Sequence, residues 1–211
     1  MAKKANAKQK LRWEECYAKL VLEKVFPDRF FDLKIEDKPD LQSTALNVGI
    51  EVTTAIPDRV IENDRLFSRL THDDGNPEHR NRNLNRVQQK GGQYYDEGVM
   101  ISWAGDRNIS EVYSAFENKL KKLNGGGYQS FEKQYVFIFE NDITIQGDDL
   151  SKIHSELNRR QTSFSARFDS VFLNYDRSLL FEFDLNSGEY HQYRIDDYET
   201  LATEAYNMVH N

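Results

Sequence analysis

The sequence predicts an α/β fold in a single domain over residues 1–211, and three observations carry that prediction. Apolar residues recur at helical spacing near the N-terminus and again after residue 109, short apolar strands stand between the helical stretches, and the last part of the chain alternates strand-like segments with turn residues. Hydrophobic residues make up 38% and aromatics 12%, with 13 Phe and 11 Tyr, which excludes a disordered chain.

The first helix is expected over residues 7–26, where Leu11, Ala18, Val21, Leu22, Val25 and Phe26 recur at helical spacing and Pro27 closes the pattern. "RFFDLKIED" then reads as a strand, and after Pro39-Asp40 "LNVGIEVTTAI" reads as a second strand ended by Pro57. The intervening "QSTA" is turn-like, so these two strands are expected to pair as neighbours. Residues 58–95 are polar with helical stretches broken by "HDDGNPEH" and Gly91-Gly92, and read as a two-helix surface excursion. "GVMISWAG" reads as a buried strand, "ISEVYSAFENKLKKL" as an amphipathic helix stopped by Gly125-Gly126-Gly127, and "KQYVFIFEN" as another buried strand, together an α/β crossover. A helix near 148–160 precedes "FDSVFLNYD", "LLFEFD" and "YHQYRI", three strands whose turns at Asp176-Arg177 and Asn186-Ser187-Gly188 suggest a meander. A last helix from Asp196 onward carries Asp196, Asp197 and Glu199 in its first turns, where negative charge suits the helix dipole.

The net charge is −7, so a polyanion is repelled unless bases cluster locally. Two clusters exist: Lys3, Lys4, Lys8, Lys10 and Arg12 in the first twelve residues, and Arg80, Arg82, Arg86 and Lys90 in a second acid-free stretch. The second is the candidate phosphate-holding segment; a solvated helix face is the plainer reading. The single Cys16 excludes an internal disulfide. No run approaches the about 18 apolar residues of a membrane span, and a cytoplasmic location without membrane partners is expected.

The chemistry centres on "KPDLQSTALNVGIEVTTA". Strand alternation puts Glu51 and Thr53 on one face and Ile50 and Val52 on the other. A carboxylate among Val48, Ile50 and Val52 is desolvated and needs a basic side chain or a metal ion as partner. Asp40, near the end of the preceding strand, comes close to Glu51 in a hairpin. Two adjacent anions repel, and a hard Mg²⁺ held by one or two carboxylates, waters and phosphate oxygens removes that repulsion. Glu14 and Glu15 flank the apolar stripe of the first helix; one of them faces inward, with Glu14 preferred because Tyr17 and Val21 follow it at i+3 and i+7.

A helix with Glu, then Pro39-Asp40, then Glu51-Val52-Thr53 on a strand resembles the core of the PD-(D/E)xK nuclease superfamily. The resemblance covers roughly residues 10–140 and leaves a β-rich C-terminal extension at about 160–211. It implies a restriction-endonuclease-like mixed sheet flanked by helices, followed by the meander and the terminal helix. It also implies a phosphodiesterase, cutting DNA in preference to RNA, with Asp40 and Glu51 as ligands for Mg²⁺ (or Mn²⁺) and the helix glutamate as an auxiliary ligand or orienter. The family's lysine should stand two residues after Glu51, where this chain has Thr53; a hydroxyl positions a water but brings no charge. Lys119, at the edge of the apolar face carrying Val112, Phe116 and Leu123, is the candidate substitute, against the plainer reading of a lysine snorkelling from a core boundary. The alternative function is a nuclease-like fold without chemistry, a regulatory module binding a protein or a nucleic acid. A third reading is an α/β binding protein in which Glu51 is salt-bridged. Cutting both strands of a duplex would favour a two-fold homodimer.

Other signals are weaker. His72-Asp73-Asp74 and His79 meet no accepted ligand spacing, no nucleophile motif surrounds Cys16, and "GGG" at 125–127 precedes a strand and so stops a helix instead of cradling phosphate. The aromatic strands "YVFIF" and "LLFEF" read as core rather than as stacking platforms for single strands.

Overall fold

The computed structural model describes residues 11–55, 76–89, 93–94, 100–101, 109–127, 129–140, 145 and 147–210. The chain divides into two compact units, Met1–Ala55 with Val112–Asn211, and Ile56–Glu111 between them.

In the larger unit, α1 (Trp13–Val25) is followed by β1 (Lys34–Ile35), β2 (Leu41–Ser43) and β3 (Val48–Thr54). The chain returns to this unit in α3 (Ser110–Asn124) and β6 (Lys133–Glu140), then α4 (Gly147–Gln161), β7 (Ser170–Tyr175), β8 (Leu179–Asp184), β9 (Tyr190–Arg194) and α5 (Tyr198–His210). The smaller unit holds α2 (Pro77–Gln89) and an antiparallel pair, β4 (Gln93–Tyr94) and β5 (Met100–Ile101). The fold is therefore α/β, with one seven-stranded mixed sheet in the order β1-β2-β3-β6-β7-β8-β9.

β3, β6 and β7 run parallel and form the middle of the sheet, with antiparallel pairs on both sides. Parallel neighbours demand crossovers, and α3 before β6 and α4 after it lie against the sheet. Val48, Ile50, Val52, Tyr135, Phe137, Phe139 and Phe172 pack with Tyr17, Val21 and Leu22 of α1 and Leu201 and Ala205 of α5. Glu51 is on the opposite face by strand alternation, and there it meets Lys119 of α3. His154 of α4, 6.4 Å from the Phe183 ring, covers the same face further along. The layers are helix, sheet, helix.

Local chemistry explains the breaks. Gly126 and Gly127, at φ +85° and +81°, end α3 in a conformation that favours glycine. Asp176 and Arg177, both at positive φ, make the tight β7–β8 turn. Asn76 caps α2, its side-chain oxygen accepting the Glu78 N–H at 3.0 Å, with Pro77 at the first helical position.

Several expectations change. "RFFDLKIED" contributes only the two residues of β1, and it does not pair with β3: Leu41–Ser43, which takes in the first two residues of the turn-like "QSTA", is a strand between them. The described residues of "GVMISWAG", Met100–Ile101, pair with Gln93–Tyr94 and not with the large sheet. The crossover into β6 instead starts from β3, which is parallel to it. The three C-terminal strands form the expected meander, and they extend the same sheet through β7. The last helix begins at Tyr198, so Asp196 and Asp197 precede it. Residues 7–10 of the first helix and 58–75, 90–92 and 95 of the excursion lie outside the described residues.

Candidate active site at the edge of β3

The site begins where the β2–β3 ladder ends. Leu41 pairs with Ile50 as the last β2–β3 partners. At the next position Asp40 replaces backbone with side chain: its Oδ2 accepts the Val52 N–H at 2.7 Å. The loop before it is tied down, since Glu36 N–H donates to Asp40 O at 3.0 Å and Gln42 Nε2 donates to Pro39 O at 3.0 Å. Gly49 makes room for this loop. A Cβ there would stand 2.7 Å from both Pro39 Cγ and Phe131 Cδ2.

Glu51 is 1% exposed and Lys119 7% exposed. Lys119 Nζ donates to Glu51 Oε2 at 2.5 Å and to Asp40 Oδ2 at 2.8 Å. Two carboxylates thus converge on a single ammonium, and this mutual neutralisation offsets a desolvation cost that neither acid would bear alone. The snorkelling alternative for Lys119 does not describe this geometry: its head points into the molecule.

Glu15 stands behind the trio. It is 4% exposed, Arg12 Nη1 lies 3.6 Å from its Oε1, and its Oε2 has no hydrogen-bond partner among the described residues. Burial raises its pKa above the ordinary carboxylate value, and the charge of Asp40 adds to the rise while Arg12 opposes it. Glu14, preferred on sequence grounds, is the more exposed of the two and pairs with Arg12 at 3.8 Å. Glu15 shares a face of α1 with the buried Ala18 and Leu22, at i+3 and i+7, and that face meets Asp40.

A cleft of about 420 Å³ opens over these groups. Its acids are Asp37, Asp40 and Glu51, its bases are Arg12, Lys38, Lys119 and Lys122, and Gly125-Gly126 closes one side. Four bases against three acids make it locally basic in a chain of net charge −7. Lys38 and Lys122 are exposed and form no ion pair with a described residue. Thr53 is half-buried on the Glu51 face of β3, in register with Ile138, and is not among the cleft residues.

No protein-family model, curated protein or solved structure matches the chain.

The remaining sequence candidates lie elsewhere. Arg80, Arg82 and Arg86 are exposed on α2 of the smaller unit, as is His79, while Lys90 and His72-Asp73-Asp74 lie outside the described residues. Cys16 is buried in the core, as are Tyr135, Phe137 and Phe139 of "YVFIF". No helix among the described residues is long and apolar enough to cross a membrane.

The choice of site residues on sequence grounds passed over Arg12, Lys38 and Lys122. The signals were present: Lys122 follows Lys119 by three on one helix, Arg12 precedes Glu15 by three, and Lys38 adjoins Pro39-Asp40. Among the described residues no group of three or more His, Cys, Asp or Glu forms a metal cluster. Asp40 and Glu51 nevertheless reach one cation-sized point, a donor set of hard oxygens that suits Mg²⁺ completed by waters and phosphate oxygens.

Proposed function

We propose that the chain is a metal-dependent nuclease of the restriction-endonuclease-like fold, hydrolysing phosphodiester bonds in DNA in preference to RNA. The observation that carries this reading is the convergence of Asp40 and Glu51 on one point, with Lys119 on it, inside a locally basic cleft. The helix-sheet-helix layers, and a parallel crossover from β3 to a strand beside it, support the fold assignment.

Asp40 and Glu51 would hold Mg²⁺ or Mn²⁺, which when bound polarises the phosphate and lowers the pKa of a water. The backbone bond from Val52 fixes one Asp40 oxygen, so the carboxylate is held in orientation before substrate arrives. Lys119 supplies the positive charge that Thr53 lacks and stabilises the charge developing on the non-bridging phosphate oxygens. Arg12, Lys38 and Lys122 hold neighbouring phosphates by charge, and Glu15, whose carboxyl senses the charge of Asp40, is the auxiliary acid of the site. A bond forms between water oxygen and phosphorus, the bond from phosphorus to one sugar oxygen breaks, and the water proton ends on the leaving oxygen or solvent.

The test is cleavage of labelled DNA and RNA with Mg²⁺ or Mn²⁺ by wild type, Asp40→Asn and Glu51→Gln. Wild type should cut DNA, and each variant should lose at least about 100-fold in rate. Absence of cleavage by wild type with either ion rules the enzyme out. Oligonucleotide or protein binding without cleavage would then favour the regulatory-module reading.

A further inference from the structure

We propose that Lys119 is the resident occupant of the cation site: its ammonium holds Asp40 and Glu51 together in the metal-free protein and leaves when a divalent ion binds. The inference rests on the metal-dependent reading above and concerns the regulation of that same site.

The geometry leaves little choice. Nζ lies 2.8 Å from Asp40 Oδ2 and 2.5 Å from Glu51 Oε2, the two oxygens that would ligate the ion. An ammonium and a dication at contact distance repel strongly in a buried setting, so they do not share that point. With Lys119 in place the three charges leave one net negative, a weak attraction for a free ion. Lysine suits a placeholder: it is a compact point charge with three donors on a flexible stem, able to withdraw where an arginine fork would not. Its side chain already lines the cleft, which gives the head somewhere to go.

What draws it off is negative charge arriving in the cleft. Lys38 and Lys122 form no ion pair with a described residue, so they are available to attract a phosphate to the same space. A phosphate that takes up the Lys119 head vacates the two carboxylates for the ion. Ion and phosphate therefore bind with positive coupling, which by linkage is reciprocal. The resting protein is kept from binding divalent ions tightly in the absence of substrate.

The experiment measures Mn²⁺ binding to the full chain by the loss of the free-ion electron paramagnetic resonance signal, for wild type, Lys119→Met and Lys119→Arg. Lys119→Met should bind Mn²⁺ at least about tenfold more tightly than wild type, because a positive charge has left the ligand oxygens. Lys119→Arg should remain as weak as wild type. A phosphorothioate oligonucleotide should tighten Mn²⁺ binding by wild type and change that of Lys119→Met much less. Equal or weaker binding by Lys119→Met overturns the proposal. If wild type still cuts DNA in that case, the nuclease reading stands and only the competition falls; if neither protein binds Mn²⁺, both fall. Should Lys119→Met not fold, acetylation footprinting of wild type decides: Lys119 should be protected in chelator and labelled in saturating Mn²⁺, and unchanged protection overturns the proposal.

Discussion

Tyr17 shows how a single buried side chain on α1 couples stability to pH. Its ring stacks on Trp13 at 4.9 Å and packs 5.8 Å from Phe139, while its hydroxyl donates to Arg177 O at 3.2 Å. Burial pushes its pKa up to about 12. The unfolded chain releases this proton near pH 10, so the native state keeps a proton that the unfolded state has lost. A raised folded value means the stability is fully present below about pH 10 and is lost as pH rises toward 12. Tyr17→Phe should cost about 1 kcal/mol at pH 7 through the lost hydrogen bond. The gap between variant and wild type should narrow as pH climbs above 10, because phenylalanine has no proton to hold. Urea titrations across that range check it, and a constant gap would show that Tyr17 does not carry the dependence.

The β2–β3 pair is the element on which the site depends, and Gly49 is where it is most vulnerable. Asp40 is held against β3 because the Pro39 ring sits over Gly49, and an added methyl would meet two rings at 2.7 Å. Neither ring can swing aside as the end of a flexible side chain would. Gly49→Ala should therefore destabilise the protein by about 1–3 kcal/mol. It should also displace Asp40, so that divalent-ion affinity falls alongside the melting temperature. A variant that loses stability but keeps its ion affinity would uncouple Gly49 from Asp40. The same strands show what the sequence could and could not say. Glu51 was legible because a carboxylate in an apolar strand demands a partner, and α3 with its glycine stop was legible from periodicity. β2 was not: three residues, all buried, are too short to display a period, and Ser43 looks like turn chemistry. "GVMISWAG" failed for the opposite reason, since local apolar content does not say which sheet receives a strand. The ranking of Glu14 over Glu15 failed because both precede buried residues at i+3 and i+7, and periodicity alone does not say which of them faces Asp40.

At the scale of the molecule the question is how a chain of net charge −7 would bind a polyanion at all. The overall field repels, and the cleft, with four bases against three acids, attracts only at short range. Affinity for nucleic acid should therefore be modest and only shallowly dependent on salt, because it rests on few phosphate contacts made against a repulsive background. Lys38 and Lys122 are the cleft bases with no described ion-pair partner, so each should release about one counterion on binding. The double variant Lys38→Gln/Lys122→Gln should lower the slope of log affinity against log salt by about 1.4 for a single-stranded oligonucleotide and about 1.8 for a duplex. Arg82 and Arg86 belong to the smaller unit, exposed on α2, and provide the contrast. Reversing them to Glu should weaken duplex binding, since two positive charges become two negative ones. Fluorescence anisotropy at four or more salt concentrations measures both effects. A slope unmoved by the lysine substitutions would take phosphate binding out of the cleft, and an affinity unmoved by the charge reversal would take Arg82 and Arg86 out of the contact.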